Sequence, residues 1–209
     1  MKRFDENEAE CLWKELEQKD EFTAAHCRRV SELVEKFAAS NGYEAEEVKW
    51  LKVGALLHDV GKVCIENEIF DKLKNGEKLT IEERKCVQRH IDNNEWMARY
   101  SDMPVVVDNI VKKHHERYDG SGYPSKIFGD LIPHEVRLVS IADYYDTILV
   151  GRNHRTPEGM APFNRDDAIR IMIENAAVRF DPELLAKFIK FVVLEEKNCR
   201  AEKAEKTAP

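Results

Sequence analysis

The run His114-His115-Glu116-Arg117-Tyr118-Asp119-Gly120-Ser121-Gly122-Tyr123-Pro124 sets two adjacent imidazoles at the end of an apolar stretch and follows them with a turn-rich, acidic and aromatic loop. A second run, His58-Asp59-Val60-Gly61-Lys62, closes another apolar stretch, Val53-Gly54-Ala55-Leu56-Leu57. Further polar groups fall on apolar helical stripes: His90 with Val87 and Ile91, His114 with Val107, Ile110 and Val111, and Asp143 with Val136 and Val139. Polar groups on core-facing stripes must find partners. A single core histidine is satisfied by a backbone carbonyl; several together are satisfied at once by a shared metal cluster. Imidazole with carboxylate suits iron, manganese or zinc, and the lack of cysteines on these stripes disfavours thiolate ligation. Neighbouring helical residues point about 100° apart. His58-Asp59 and His114-His115 can therefore each serve one cluster only where it wraps a helix corner or where two ions lie side by side, with a carboxylate bridging them. Two close divalent ions lower the pKa of water and brace the attacking and leaving oxygens, which is hydrolytic chemistry. Lys62, one turn beyond His58, is placed to meet a phosphate oxygen, although a surface lysine after a glycine turn fits the same position.

The elements that must position these residues all read as helices. Residues 6–19 form a first helix, with Cys11, Leu12 and Leu16 on one side. Asp20 or Thr23 caps a second, to about Ser40, in which Val30, Leu33, Val34 and Phe37 keep helical spacing until Asn41-Gly42 stops it. Val48, Leu51, Ala55 and Leu56 mark a third, ending near His58. Residues 60–79 are less regular. Thr80-Ile81-Glu82-Glu83 opens a capping box for a helix to about Tyr100, and another runs from Met103-Pro104 to about Glu116. Residues 117–133, with three glycines and two prolines, form a loop. His134 begins a helix to about Leu149, 151–164 is a second loop, and Asp166–Ala177 and Pro182 to about Leu194 are the last helices. No alternating strand and no internal repeat is present. The fold class is all-α.

With 209 residues, 43% of them hydrophobic, the chain suits one domain with a substantial core. A net charge of −7 argues against a polymeric nucleic-acid binder, without excluding a small anionic substrate held by local cations. No apolar run is long enough to span a membrane and no signal segment is visible, so a cytoplasmic protein is expected. Cys11, Cys27, Cys64, Cys86 and Cys199 are scattered and odd in number, as expected of reduced thiols in that compartment.

These motifs resemble the HD-GYP family, a branch of the HD phosphohydrolase superfamily, over about residues 20–192. His58 to Lys62 fits HD-x-G-K, and His114 to Pro124 fits HHE-x-x-DGSGYP without a gap. Leu79-Thr80-x-x-Glu83 and Ile141-Ala142-Asp143-x-x-Asp146 match as well. The resemblance implies an HD-domain helical bundle over 20–194 with a metal centre in its core, an N-terminal helix at 1–19, and a charged tail at 195–209 expected to fray. It implies two divalent ions, iron or manganese. His26, His58, Asp59 and Asp143 would hold one. Asp59 would bridge to the other, held by His90, His114 and His115. Lys62 would contact the scissile phosphate, with Asp59 and Lys62 as the catalytic pair. Arg152 and Arg155, in the family's basic R-x-x-R positions, would hold an outer phosphate or a guanine edge, or form a solvated basic loop. Tyr123 would face the substrate or partner proteins, and Asp146 would bind substrate or support a metal ligand. His134 and His154 are left as surface or loop residues.

The chain departs from the family at Phe22, where some members carry a glutamate for a third metal, which favours two ions here. It departs again at Ile91 in place of a proline, at His154 in place of a tyrosine, and in the absence of prolines between Cys64 and Gly76. These changes bear on nucleotide preference more than on metal binding. The activity implied is hydrolysis of a cyclic dinucleotide, cyclic di-GMP or cyclic GMP-AMP, to a linear dinucleotide or GMP. Two alternatives stand beside it. One is a broader HD phosphohydrolase acting on mononucleotides. The other is a non-catalytic cyclic-dinucleotide sensor, or a module docking diguanylate cyclase-type partners through the GYP loop. No receiver, PAS or transmembrane segment accompanies the domain, so regulation is expected from binding, metal supply, redox state or another chain.

Overall fold

The computed structural model describes residues 3–92, 100, 102–150 and 163–207, with side chains given to residue 195 except at Lys74. Among them nine α-helices occur: α1 (Glu6–Lys19), α2 (Glu21–Ser40), α3 (Ala45–Leu57), α4 (Asn67–Lys74), α5 (Ile81–Gln88), α6 (Val105–Lys113), α7 (His134–Val150), α8 (Arg165–Glu174) and α9 (Pro182–Thr207). There is no strand among the described residues; Ala176 and Phe180 form an isolated bridge. The all-α expectation is met.

Capping sets where the central helices begin. Asp20 is the N-cap of α2, its carboxylate accepting the Thr23 N–H at 3.0 Å, so Thr23 lies inside the first turn. Thr80 and Glu83 form the reciprocal box expected at α5, with Glu83 N–H donating to Thr80 Oγ1 at 3.2 Å and Thr80 N–H to Glu83 Oε2 at 2.8 Å. Helices α2, α3, α6 and α7 pack around one core that includes Val30, Val34, Phe37, Ala55, Ile110 and Leu138, closed below by Met172 of α8 and Phe188 of α9. Helix α1 lies across α2 and α3 and buries Leu12 and Leu16 there. Of the metal-ligand candidates, His58, His90 and His114 sit where α3, α5 and α6 stop, whereas His26 and Asp143 lie within α2 and α7.

Three element boundaries differ from the sequence expectation. Residues 60–79 contain a 3₁₀ turn, Val60–Cys64, and then α4, whose Ile69 and Phe70 pack with Ile65 and Val87 in a small separate core. One eight-residue helix with two buried side chains is too short to show a period. The helix from Thr80 does not run to Tyr100: α5 stops at Gln88 and the chain tightens into a 3₁₀ turn, Arg89–Ile91, beyond which 93–99 lie outside the described residues. The final helix passes Leu194 and the backbone stays helical to Thr207, through a stretch rich in Glu, Lys and Ala and free of Gly and Pro.

The turn at His90 is coupled to the one at Lys62. Gly61 packs so closely on that turn that a Cβ at this position would lie 1.8 Å from the His90 carbonyl oxygen. That is the physical reason for glycine in the His58–Lys62 run. Gly61→Ala is expected to lower stability by about 1–3 kcal/mol, the usual cost of overpacking, and to displace His90. Urea unfolding together with metal titration measures both effects.

Candidate metal centre

His58 is the residue at which α3 ends, and His114 the one at which α6 ends. His90 lies in the 3₁₀ turn just after α5. Each turns its Nδ1 back onto the last turn it leaves. His58 Nδ1 is 2.8 Å from Ala55 O, His90 Nδ1 is 2.6 Å from Val87 O, and His114 Nδ1 is 3.2 Å from both Ile110 O and Val111 O. These carbonyls belong to the last turn of each helix, and Ile110 O also accepts the His114 N–H at 3.0 Å. A carbonyl oxygen only accepts, so each Nδ1 carries the proton and each Nε2 is left to face the interior.

What the three Nε2 atoms face is Asp59. Its backbone has left the helix, at φ −103° and ψ 6°. Asp59 Oδ2 lies 3.6 Å from His58 Nε2, while Oδ1 lies 3.3 Å from His90 Nε2 and 3.8 Å from His114 Nε2. The neighbours at His58-Asp59 therefore converge because the chain bends there. Asp59 has one oxygen toward each half of the cluster. The donor atoms of Asp59, His90, His114 and His115 lie within 4.8 Å of one another, as do those of His26, His58 and Asp59. Asp143 adjoins the second group, its Oδ1 being 3.0 Å from His26 Nε2 and 4.0 Å from His58 Nε2. Donors about 2.0–2.2 Å from one ion stand roughly 3–4.4 Å apart, so these separations suit metal ligation.

The residues fit a metal on a second count. His58 Nε2, Asp59 Oδ1, His90 Nε2 and His114 Nε2 are buried with no hydrogen-bond partner. Four orphaned donor atoms in one place would cost more than a native core ordinarily tolerates. A divalent cation satisfies all of them at once. No cysteine enters either group. Cys11, Cys27 and Cys86 are thiols outside any disulfide, and burial pushes the Cys27 thiol well up, keeping it protonated.

Comparison with known proteins settles the family. The sequence profile described as "HD domain" matches residues 10–184. The chain belongs to the HD domain family. The chain is 31% identical over 204 residues, 95% of its length, to the cyclic di-GMP phosphodiesterase response regulator RpfG of Xanthomonas campestris pv. campestris, of which it spans 52%. It is 32% identical over 175 residues, 84% of its length, to 3'3'-cGAMP-specific phosphodiesterase 3 of Vibrio cholerae, of which it spans 36%. The chain thus spans about half of the first relative's length and about a third of the second's. Among solved structures, the HD domain of the L. monocytogenes phosphodiesterase PgpH, in complex with cyclic-di-AMP, superposes with a TM-score of 0.58 at 16% identity, covering 90% of this chain and 96% of that one, which shows the shared fold.

Of the two roles the sequence leaves open for Asp146 in this HD domain, binding substrate or supporting a metal ligand, its contacts fit the second. It stands behind His26, accepting at Oδ2 from His26 Nδ1 at 2.7 Å, and both of its oxygens accept from Arg29 at 2.8 Å. The i, i+3 spacing of Asp143 and Asp146 puts both on one face of α7, one beside His26 Nε2 and the other behind the ring. Arg29 escaped the sequence reading; its signal was the same spacing, one turn after His26. Ser140 was missed as well, and its hydroxyl donates to the His114 carbonyl at 2.6 Å. Lys62 Nζ contacts Asp59 Oδ2 and is nearly buried. Tyr123 stacks on the His115 ring, centroids 4.7 Å apart at 29°. Its peptide bond to Pro124 is cis. Phe22, one turn before His26, offers no ligand atom. His134, at the start of α7, meets the Tyr43 hydroxyl at the surface. Arg152, Arg155 and His154 lie outside the described residues. A cavity of about 400 Å³ opens beside the centre, lined by Gly61, Cys64, Ile65, Cys86, Arg89 and His90, with Asp92 at its edge.

The electrostatics separate the histidines. Burial pushes His58 and His115 down, and His114 down to about 3, so these rings are neutral in the fold, as ligation requires. Burial also acts against the charged form of His26, but its hydrogen bonds to Asp143 and Asp146 outweigh it and raise the pKa. Burial alone would raise Asp59; the Lys62 ammonium and the surrounding imidazoles instead hold it well below the usual carboxylate range.

Two outcomes follow for the metal-free protein and for its metal affinity. An unfolded histidine takes up a proton near pH 6.5, whereas folded His58, His114 and His115 resist it. Their contribution to stability is therefore present above about pH 6.5 and lost as the pH falls, for His114 down to about 3. His26 has the opposite sign, stabilising below 6.5 and losing that effect as the pH rises through its raised value. With three groups against one, urea unfolding in chelator should show a lower midpoint at pH 5 than at pH 7; equal midpoints would contradict the assignment. Asp146→Asn, which weakens the support of His26, should lower the affinity for one ion by about 10–100-fold, measured by metal titration.

Proposed function

We propose that the protein is a metal-dependent phosphodiesterase that opens a cyclic dinucleotide, cyclic di-GMP or cyclic GMP-AMP, to a linear dinucleotide or GMP. The observation that carries this reading is the bridging carboxylate: Asp59 directs one oxygen toward His58 and the other toward His90 and His114. A carboxylate so placed suits two ions side by side, and imidazole with carboxylate donors suits iron or manganese. The names of the two relatives above support the substrate class, one for each dinucleotide.

His26, His58, Asp59 and Asp143 would hold one ion, and Asp59, His90, His114 and His115 the other. The pair supplies an activated water and charge stabilisation at the phosphoryl group. The chain's own residues do the rest. The Nδ1–carbonyl bonds of His58, His90 and His114 hold the rings in the tautomer that presents Nε2. Lys62 is close enough to the bridging carboxylate to turn its ammonium onto a non-bridging phosphate oxygen and offset the charge that develops there. Tyr123, at the rim, offers a ring and a hydroxyl to a nucleobase or ribose, and the neighbouring cavity has the size of a nucleotide site. Arg152 and Arg155 are assigned to an outer phosphate or guanine edge on their motif position. Docking of diguanylate cyclase-type partners is assigned to the exposed GYP loop, which carries Phe128 and Leu131 in the open. A cytoplasmic site of action accords with a cyclic dinucleotide signal.

Protein purified anaerobically and loaded with iron or manganese should convert at least one of the two dinucleotides, with products identified by chromatography and mass. If both survive intact, the substrate assignment falls. Lys62→Ala should cut kcat by roughly 10²–10³-fold while metal content is retained, whereas Asp59→Ala should lose both turnover and metal.

A further inference from the structure

Glu116 stands between the second pair of imidazoles and the loop that follows, and no step above uses it. It is only 3% exposed. A carboxylate that deep persists only when strongly bonded. Its Oε1 accepts two backbone N–H groups, from Ser125 at 2.6 Å and Lys126 at 3.1 Å. These residues follow Tyr123-Pro124, where the chain doubles back with Lys126 at φ +53°. One carboxylate oxygen therefore ties the return of the loop to the residue beside His115.

The contacts inside this closed loop all press Tyr123 onto the ligand pair. Tyr123 N–H donates to the His115 carbonyl at 3.3 Å. A Cβ on Gly122 would lie 2.6 Å from both the His115 carbonyl oxygen and Glu116 Cα, so the backbone is in direct contact there. The Tyr123 ring then stacks on His115, whose own ring lies 4.0 Å from His114 and 5.1 Å from His90, centroid to centroid. The His115 ring is thus in contact with three aromatic rings, and only that of Tyr123 comes from the loop. Glu116 Oε2 and Arg137 Nε are buried without a hydrogen-bond partner, and both residues line one small cavity of about 10 Å³.

We propose that Glu116 is a positioning residue for the His90–His114–His115 half of the metal centre. By clamping the Ser125 and Lys126 amides it holds the loop down, and through Tyr123 it fixes the His115 ring where a second ion binds. This rests on the two-ion reading above, but on no particular substrate.

The test uses the full chain with Glu116→Ala and Glu116→Gln, the second keeping a carbonyl oxygen at the clamp. Mn²⁺ is titrated into each, and amide hydrogen exchange is followed at Ser125 and Lys126. In Glu116→Ala, protection of these two amides should be lost and affinity for one ion should fall about 10–100-fold, the other ion binding as in the wild type and unfolding remaining cooperative. Glu116→Gln should restore both. The role is overturned if Glu116→Ala binds both ions with wild-type affinity, if it weakens both equally, or if Glu116→Gln fails as Glu116→Ala does. Wild-type protein that binds no Mn²⁺ overturns the metal-centre reading itself, and with it this role, before any variant is compared.

Discussion

Where α3, α5 and α6 end, each helix hands the proton of one histidine to its own last turn. His58, His90 and His114 bond at Nδ1 to Ala55, Val87 and Ile110 with Val111. This solves two problems together. Carbonyls of the last turns gain a side-chain donor, at Ile110 in addition to the His114 N–H. The imidazoles, which a dry interior would leave free to flip, gain one tautomer and one orientation. The consequence is a set of Nε2 atoms all turned inward on Asp59, a concentration of lone pairs that makes sense only around a cation.

That arrangement constrains the rest of the bundle. The three helix ends must meet, so the helices must converge at one end, and the turns that follow them must be tight. Gly61 allows the Lys62 turn to lie against the His90 carbonyl. The 3₁₀ geometry at Arg89–Ile91 and the bend at Asp59 do the same work at the other two corners. The His26 side of the centre is built differently, from the faces of α2 and α7: two carboxylates hold one imidazole, and Arg29 offsets the charge of the outer one. His58, His90 and His114 thus rest on backbone carbonyls, and His26 on an ion-pair chain.

The HD domain family supplies a frame in which such a centre recurs, and the relatives named above act on cyclic dinucleotides. What distinguishes this branch is the loop after His115, and in the structure that loop is part of the centre. It carries the aromatic ring against His115 and is tied back by Glu116. The ring against His115 and the carboxylate that ties the loop back therefore share one segment.

Much of this was legible in the residues alone. The all-α class followed from helical periods with no alternation, and His90, His114 and Asp143 stood out as polar groups on apolar stripes, because periodicity and composition are local properties; His26 was named only by the family resemblance. Helix N-termini were legible for the same reason, since Asp20 and the Thr80–Glu83 box act within one turn. What tertiary structure decided was where helices stop and which side chains meet. The α5 helix gives way at Arg89 because His90 must face Asp59, 31 positions earlier in the chain. Asp146 and Arg29 are partners across two helices, 117 residues apart. Asp146 could be assigned to substrate or to His26 on spacing alone; only packing shows that both of its oxygens are taken. Glu116 read as one letter of a motif, and its role became visible only when the loop closed over it. The sequence determined the donor types and the helices that carry them; the fold decided which lone pairs point at the same point in space, because that depends on contacts between residues no local pattern relates.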